Sequence, residues 1–210
     1  REYGADTLRL YEMFMGPLEV SKPWSMTGVA GARKFINRVW NFFGESANIT
    51  DTDDGKLTKI YHQTVKKVTA DYEALAFNTA IAQMMVFVNE VYKNGSCPKA
   101  YAEGFIKMLS CITPHVGEEI WSTLGHEGTI AFEPWPAYSE EKCKDAEVNI
   151  AVQVNGKMRG TVLMDADLSN EEVVANAVAD EKIAKFLQKQ GGQIVKTIVV
   201  KNKLVNLIVK

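Results

Sequence analysis

The spacing of apolar residues changes once along this chain, close to Glu147. Upstream of Glu147 the apolar residues recur at the i, i+3, i+4, i+7 spacing of amphipathic helices, and downstream they alternate with polar residues as in strands. Helices that precede a block of strands favour segregated helical and sheet regions. The sequence therefore predicts an α+β fold, in which an antiparallel α-helical bundle is followed by a small β-β-α-β-β domain.

A polar, acidic stretch from Ser139 to Ala146 separates the two patterns, and we interpret it as a boundary between domains. We assign residues 1–24 to a connecting helix and linker, residues 25–138 to the helical bundle and residues 147–210 to the small domain. A chain of 210 residues is long enough to form a sizeable core in each of the two larger parts.

The strongest helical pattern covers Gly28 to Phe43 and follows Ser25, which is a suitable N-cap. Six residues form an apolar stripe that we expect to be buried: Val29, Ala32, Ile36, Val39, Trp40 and Phe43. The opposite side is basic and rich in hydrogen-bond donors: Arg33, Lys34, Asn37, Arg38 and Asn41. Such a side can contact phosphates. From this helix alone, an ordinary solvated surface is the favoured interpretation.

Breaker residues and apolar spacing predict further bundle helices over residues 7–15, 56–69, 71–93, 99–112 and 115–124. The helix over residues 71–93 is the most hydrophobic of these, so we expect it near the centre of the bundle. His62 and His126 stand apart from other potential catalytic residues, and we expect both at the surface.

Local signals in the small domain are strong. Asn155-Gly156 lies between two alternating segments and predicts a tight hairpin. Ser169 and Glu172 have the spacing of a capping box, which predicts a helical region that extends to about Gln190 with a break near Asp180. Residues 193–200 and 203–210 predict a second hairpin.

Charge and composition limit the possible functions. The net charge of −2 provides no overall attraction to nucleic acid, so any such binding requires local basic patches. The three cysteines are far apart, which argues against a metal knuckle and fits a reducing cytosol. No apolar run reaches the length that crosses a membrane.

Catalytic motifs are absent from the sequence. His115, Glu118 and Glu119 share one helix start, but a third ligand at metal-site spacing is missing, which favours helix capping and surface charge. No nucleotide-binding motif and no combination of nucleophile and base is found. The residues alone therefore predict a binding module without a catalytic or metal site.

Basic residues cluster in the small domain. Lys157 and Arg159 follow the first hairpin turn, Lys201 and Lys203 flank the second, Lys196 lies on the third strand and Lys185 lies in the helical region. Lysine and arginine at both turns could hold a sugar-phosphate backbone, or they could protect the sheet edges from association, and the sequence supports both equally. Aromatic residues are scarce here, which favours a folded RNA that is recognised by shape over splayed single-stranded bases.

Four sets of residues resemble the C-terminal part of bacterial leucyl-tRNA synthetase, a large class I enzyme, in family order and over nearly the whole chain. They are Tyr3–Arg9; Trp24–Ser25 with Gly28–Val29 and Phe35–Trp40; Phe77–Ile81 with Thr113–Trp121; and Val152–Gly160 with Lys203–Asn206. The first three are shared more loosely by the isoleucine, valine and methionine enzymes, and the last favours leucine. Lys201-Asn202 departs from the Pro-Gly of many relatives, so the second turn is expected to differ in shape.

The resemblance implies a part of an ATP-dependent leucine-tRNA ligase whose catalytic and editing sites lie upstream of Arg1. It implies that this part needs no cofactor of its own, whereas the full-length enzyme uses ATP with Mg. The implied partners are tRNA(Leu) and the upstream catalytic domain of the same chain, in a cytoplasmic monomer with no membrane contact. The alternative is a structural or protein-interaction module without independent affinity for tRNA.

Exposed charge together with family position makes twelve residues candidates for contacts with the tRNA backbone. In the bundle they are Arg33, Lys34, Asn37 and Arg38, with Lys66 and Lys67 as weaker candidates. In the small domain they are Lys157, Arg159, Lys185, Lys196, Lys201 and Lys203. No catalytic and no metal-binding residue is expected in this chain.

Overall fold

The computed structural model of this protein describes residues 2–21, 23–144, 147–190 and 193–210. The chain divides into two compact units, Arg1–Lys144 and Asp145–Lys210. The first is helical and the second is a sheet with two helices, so the predicted α+β class is confirmed.

The described part of the first unit contains six α-helices, each with an apolar side in the core. They are α1 (Ala5–Phe14), α2 (Met26–Phe43), α3 (Thr58–Glu73), α4 (Phe77–Asn94), α5 (Lys99–Ser110) and α6 (Pro114–Thr123). Short 3-10 helices cover Ser46–Asn48 and Ile130–Phe132. Two strands of two residues each, β1 (Ile49–Thr50) and β2 (Cys97–Pro98), pair in parallel; no sequence signal predicts so short a pair.

Aromatic residues fill the core of the first unit. The ring of Phe105 on α5 is stacked on Phe43, with centroids 5.0 Å apart, and packs against Phe87, with centroids 5.3 Å apart. Residues of α2, α4 and α5 thus meet in one core.

The close approach of α3 to α5 requires Gly104, because a Cβ there would overlap the hydroxyl of Tyr61 and lie 2.9 Å from its Cζ.

Helix α1 joins this unit through its polar residues. The carboxylate of Asp6 accepts hydrogen bonds from the backbone N–H of Val116 at 2.8 Å and lies 2.8 Å from Nδ1 of His115, so it caps the start of α6. The guanidinium of Arg9 donates to the carbonyl groups of Ile112 at 2.7 Å and Cys111 at 3.1 Å, just beyond the end of α5. Helix α1 therefore provides hydrogen-bond partners both for backbone carbonyls after the end of α5 and for a backbone N–H at the start of α6.

The boundary between α3 and α4 differs from the prediction. Helix α3 continues to Glu73 and α4 begins at Phe77, whereas the sequence pattern started the second of these helices at Asp71. Leu75 has φ 56° and is 60% exposed. Hydrogen bonds from Leu75 N to Tyr72 O at 3.1 Å and from Ala76 N to Asp71 O at 2.7 Å form a Schellman motif. Leucine occupies the left-handed position in which glycine is usual, so the sequence does not indicate where α3 ends.

Two side chains of the bundle are placed opposite to expectation. Trp40, which was predicted in the buried stripe of α2, is 41% exposed, whereas Phe35 and Phe42 are buried. His62 was expected at the surface but is buried against Tyr61 and Tyr101. Both residues lie at the border between the apolar and polar sides of their helices, where neighbouring helices determine exposure.

The second unit is a four-stranded sheet covered by helices. Its elements are β3 (Glu147–Val154), β4 (Lys157–Asp165), α7 (Asn170–Ala179), α8 (Glu181–Gln190), β5 (Ile194–Val200) and β6 (Leu204–Val209). The strand order is β4-β3-β6-β5, with β3 and β6 parallel and the outer pairs antiparallel. Asp180 separates α7 from α8, because its Oδ1 accepts from the backbone N–H of Lys182 at 3.0 Å and thereby begins a new helix.

Parallel pairing of β3 with β6 places the two hairpin turns at opposite ends of the sheet. The Asn155-Gly156 turn follows the end of β3, and Val154 pairs with Leu207 near the end of β6. The second turn precedes the start of β6, where Leu204 pairs with Ala151. Asn202 in this turn has φ 55°, so asparagine takes the left-handed position that glycine would occupy in a Pro-Gly turn.

Candidate nucleic-acid interface

The polar side of α2 is exposed as predicted. Arg38 is held in place, because its Nη2 donates to Oδ1 of Asn89 at 2.9 Å and its guanidinium lies over the ring of Tyr92, 4.9 Å from the centroid. Arg33 donates from Nη1 to the carbonyl of Tyr3 at 3.3 Å. Lys34 and Asn37 have no side-chain partner within the described ranges. This side of α2 thus presents fixed arginines and open hydrogen-bond donors.

The two weaker bundle candidates are already paired with carboxylates. Nζ of Lys67 lies 2.5 Å from Oδ1 of Asp71, whose side chain is only 11% exposed. Nζ of Lys66 lies 2.7 Å from Oε2 of Glu140, and the hydrogen bond from Lys66 to this carboxylate raises the pKa of Lys66. Both lysines thus already have a carboxylate partner within the unit, whereas Lys34 of α2 has none in the described part of the chain.

In the second unit, a bulge in β4 orients Arg159. Val152 pairs with Gly160 and Gln153 pairs with Met158, so Arg159 is the extra residue on the edge strand. Its guanidinium lies over the ring of Phe186 on α8, 4.0 Å from the centroid. A cation stacked on an aromatic ring keeps its charge while it loses side-chain freedom. Lys157, two residues before it, is exposed at the first turn.

Helix α8 contributes a row of lysines beside Arg159. Lys182, Lys185 and Lys189 are spaced i, i+3, i+7 and are all exposed, and Nζ of Lys185 lies 3.5 Å from Oε2 of the exposed Glu181. Ile183, on the inner side of α8, lies 3.5 Å from the position that a Cβ on Gly160 would take, so the helix runs along β4. Sequence reasoning singled out only Lys185 and missed Lys182 and Lys189, although their helical spacing was visible. We call these five residues the β4–α8 basic surface: Lys157, Arg159, Lys182, Lys185 and Lys189.

The structure does not bring the remaining candidates into this surface. Lys196 lies on β5, at the far edge of the sheet from β4. Lys201 and Lys203 lie in the turn at the opposite end of the sheet from Lys157, and Nζ of Lys201 is 3.0 Å from Oδ1 of Asp167. Parallel pairing of β3 with β6 places the two hairpin turns at opposite ends of the sheet, and contact of both turns with one RNA backbone stays a prediction.

The acidic and histidine side chains of α6 have structural roles. His115 pairs with Asp6, and the Glu118 carboxylate accepts from the hydroxyl of Thr129 and from the backbone N–H of Ile130 at 3.0 Å. The hydrogen bond from Thr129 holds the pKa of Glu118 below its usual value. Among residues 2–21, 23–144, 147–190 and 193–210, no group of three or more His, Cys, Asp or Glu side chains is placed to bind a metal ion.

Comparison with known proteins identifies the family. Residues 54–175, more than half of the chain, match the family model of the anticodon-binding domain of tRNA ligase. The chain belongs to this family. The matched range of the anticodon-binding domain extends from before α3 into α7, so it includes Lys157 and Arg159 but neither α2 nor the lysine row of α8.

A solved structure is similar to this chain over the whole length of the chain. It is the ternary complex of Agrobacterium radiobacter K84 agnB2 LeuRS with tRNA and LeuAMS, with a TM-score of 0.69 and 26% sequence identity. The match covers 100% of this chain and 29% of that one, so the chain spans less than a third of the length of its relative. The resemblance to the C-terminal part of leucyl-tRNA synthetase is confirmed. None of the described helices is both long and apolar enough to cross a membrane.

Proposed function

We propose that this chain is the tRNA-binding C-terminal part of a leucyl-tRNA synthetase, which positions tRNA(Leu) through backbone and shape contacts. The observation that supports this most directly is the β4–α8 basic surface, in a chain similar over its full length to part of a LeuRS solved with tRNA. In a protein of net charge −2, five exposed cations on one strand edge and one helix form a local field that attracts phosphates.

The exposed side of α2 provides a second candidate contact. This helix has three cations and no acidic residue, so nothing on it opposes an approaching phosphate. Arg38 is oriented by Asn89 and Tyr92, and Lys34 has no partner in the described part of the chain. Arginine and lysine contacts to phosphates position a protein on RNA without reading its sequence. Recognition by shape therefore accounts for both surfaces.

Leucine activation with ATP and Mg is assigned to an upstream catalytic domain of the same polypeptide. This chain spans 29% of the length of the similar LeuRS chain, and its sequence has no nucleotide-binding motif. We therefore assign no residue of this chain to ATP, and we propose that its role in a cytoplasmic enzyme is to place the tRNA acceptor end at the upstream site.

Fluorescence anisotropy over a salt series tests this proposal. The labelled ligands are a tRNA(Leu) with a long variable arm and a tRNA with a short variable arm. We expect tighter binding of tRNA(Leu), with log K falling by roughly 0.7 to 0.9 per log unit of salt for each neutralised phosphate. Absence of salt-dependent binding to either tRNA would favour the alternative, a structural or protein-interaction module. Equal binding to both would assign leucine selectivity to the rest of the enzyme.

A further inference from the structure

The indole of Trp40 is exposed at the border between the apolar and basic sides of α2. Its neighbours one turn away on this helix, Ile36 and Phe43, are buried. Among the described residues, no aromatic ring stacks on Trp40 and no hydrogen-bond acceptor is paired with its indole N–H. An exposed tryptophan whose ring and N–H are both unused offers a large flat surface to a ligand.

One side of the Trp40 ring packs against Gly44. A Cβ on Gly44 would lie 3.2 Å from Cδ2 and 3.3 Å from Cε2 of Trp40, which shows that the indole packs against the helix end at that residue. A Cβ on Gly44 would also lie 2.6 Å from the backbone carbonyl oxygen of Trp40, so the main chain at the end of α2 already requires glycine at this position. The indole thus packs against Gly44 on one side and is exposed at 41% overall.

The charges around the ring favour a nucleic acid over a protein surface as the ligand. On a helix that advances about 100° per residue, Arg33 at i−7 and Asn37 at i−3 lie roughly 20° and 60° around the axis from Trp40, so both are on its polar flank. Both are exposed, and Asn37 has free amide groups in the described structure. A flat ring beside cations and amide groups can stack a base while the cations hold its phosphates.

We propose that Trp40, supported by Gly44 and flanked by Arg33 and Asn37, is a stacking site for an unpaired base of a bound RNA. The proposal rests on the RNA binding proposed above and adds a contact that depends on an unpaired base. It lies outside the residues 54–175 that match the family model. Helix α2 then binds RNA by a phosphate contact and a base contact within three helical turns.

The test compares two synthetic RNAs as competitors of labelled tRNA(Leu): a hairpin with a seven-nucleotide loop and a blunt duplex of the same stem. Base stacking on an aromatic side chain changes affinity by about 5- to 100-fold on alanine substitution. We expect Trp40→Ala to weaken hairpin binding within that range and to leave duplex binding within about 2-fold. Trp40→Phe should retain most of the hairpin affinity, and Trp40→Leu, which has bulk without a π-face, should not.

Trp135→Ala is the matched control, since Trp135 is similarly exposed, at 39%, but donates its indole N–H to Thr69. Equal hairpin binding by the wild type and Trp40→Ala overturns the stacking site and leaves the proposed function intact. Equal weakening of hairpin and duplex also overturns it, since Trp40 would then act on the fold or on the backbone. If Trp40→Ala does not fold by circular dichroism, equal hairpin affinity of Trp40→Phe and Trp40→Leu overturns it. A wild type that binds no RNA refutes the proposed function itself.

Discussion

Asn155 and Val209 are joined by two hydrogen bonds that extend the pairing of β3 with β6 beyond the end of β3. Nδ2 of Asn155 donates to the carbonyl of Val209 at 3.1 Å, and the backbone N–H of Val209 donates to Oδ1 of Asn155 at 2.9 Å. The side chain of Asn155 therefore pairs with Val209, the last residue of β6, in the way that a further backbone residue of β3 would. Its φ of 51° also makes the tight turn possible.

Asn155→Gly separates these two roles, since glycine tolerates positive φ but cannot bond to Val209. We expect the second unit to lose about 1–2 kcal/mol, because two partly exposed hydrogen bonds are removed. Hydrogen exchange of the Val209 amide and thermal unfolding measure the effect. Asn155→Asp, which keeps the acceptor, is the control and should protect this amide better than glycine does. Unchanged exchange in the glycine variant would contradict the ladder role.

The β4–α8 basic surface should dominate the salt dependence of RNA binding. Lys182, Lys185 and Lys189 lie together on α8, so their joint replacement by alanine should reduce the slope of log K against log salt by about 2 units. The matched control removes Lys196, Lys201 and Lys203, which lie at the far edge and far end of the sheet, and should change the slope less. A larger change of this slope in the control variant would indicate that the RNA interface lies at the opposite end of the sheet.

We expect His62 to make the first unit sensitive to acid. Its Nδ1 accepts the backbone N–H of Ser139 at 3.2 Å, and its Nε2 is buried without a partner in the described structure. Burial lowers the pKa of His62 from 6.5, the positive charge of Lys142 lowers it further, and Asp53 opposes this. Tyr61 and Tyr101, the other titratable groups that pack on the ring, are neutral in this pH range.

Because the folded protein favours neutral His62, its contribution to stability is present above pH 6.5 and is lost as pH falls through the lowered pKa. Unfolding temperatures between pH 7.5 and pH 5 should therefore decrease more in the wild type than in His62→Gln, whose amide oxygen can still accept from Ser139. Parallel decreases in both proteins would assign the acid sensitivity to other groups.

Gly104 should be one of the least replaceable residues of the bundle. A Cβ there overlaps the Tyr61 hydroxyl, and both residues lie in the packed region between α3 and α5. Gly104→Ala should destabilise the first unit by about 1–3 kcal/mol through overpacking, as measured by chemical denaturation.

Two variants separate overpacking from helix propensity. Tyr61→Phe combined with Gly104→Ala should recover part of the loss, since the closest clash involves the hydroxyl. Gly31→Ala is the control, because nothing lies within 4 Å of a Cβ there, and it should stabilise α2 by about 0.5–1 kcal/mol. A Gly104→Ala protein as stable as the wild type would refute the close packing of α3 on α5.

Predictions from the sequence succeeded where a residue and its partner are close along the chain. Ser25 accepts a hydrogen bond from Gly28 N at 3.2 Å, and Ser169 and Glu172 form the expected capping box. Asn155-Gly156 forms the expected turn, with positive φ at both residues. Each signal involves residues within three positions of each other, so its geometry needs no information from the rest of the fold. The family resemblance rested on such ordered local motifs and was also confirmed.

Predictions failed where a distant element decides the outcome. The end of α3 is a local exception: Leu75 takes the left-handed position without being a glycine, with hydrogen bonds from Leu75 N to Tyr72 O and from Ala76 N to Asp71 O. Whether His62 is buried depends on the segment of Ser139, 77 residues away along the chain. An apolar helical stripe gives the direction of a side chain but not how far the neighbouring helix extends over it. The exposure of residues at the border of the stripe therefore cannot be predicted from the spacing.

The sequence by itself determined the two classes of secondary structure, the turns and caps, the family and the identity of the basic residues. Only the tertiary structure decided which of these residues lie close together. Parallel pairing of β3 with β6 separates Lys157 from Lys201 and Lys203, and packing of α8 along β4 brings Lys182 and Lys189 beside Arg159. The physical reason is that strand order and helix packing depend on burial of apolar surface between distant segments, which local spacing does not specify.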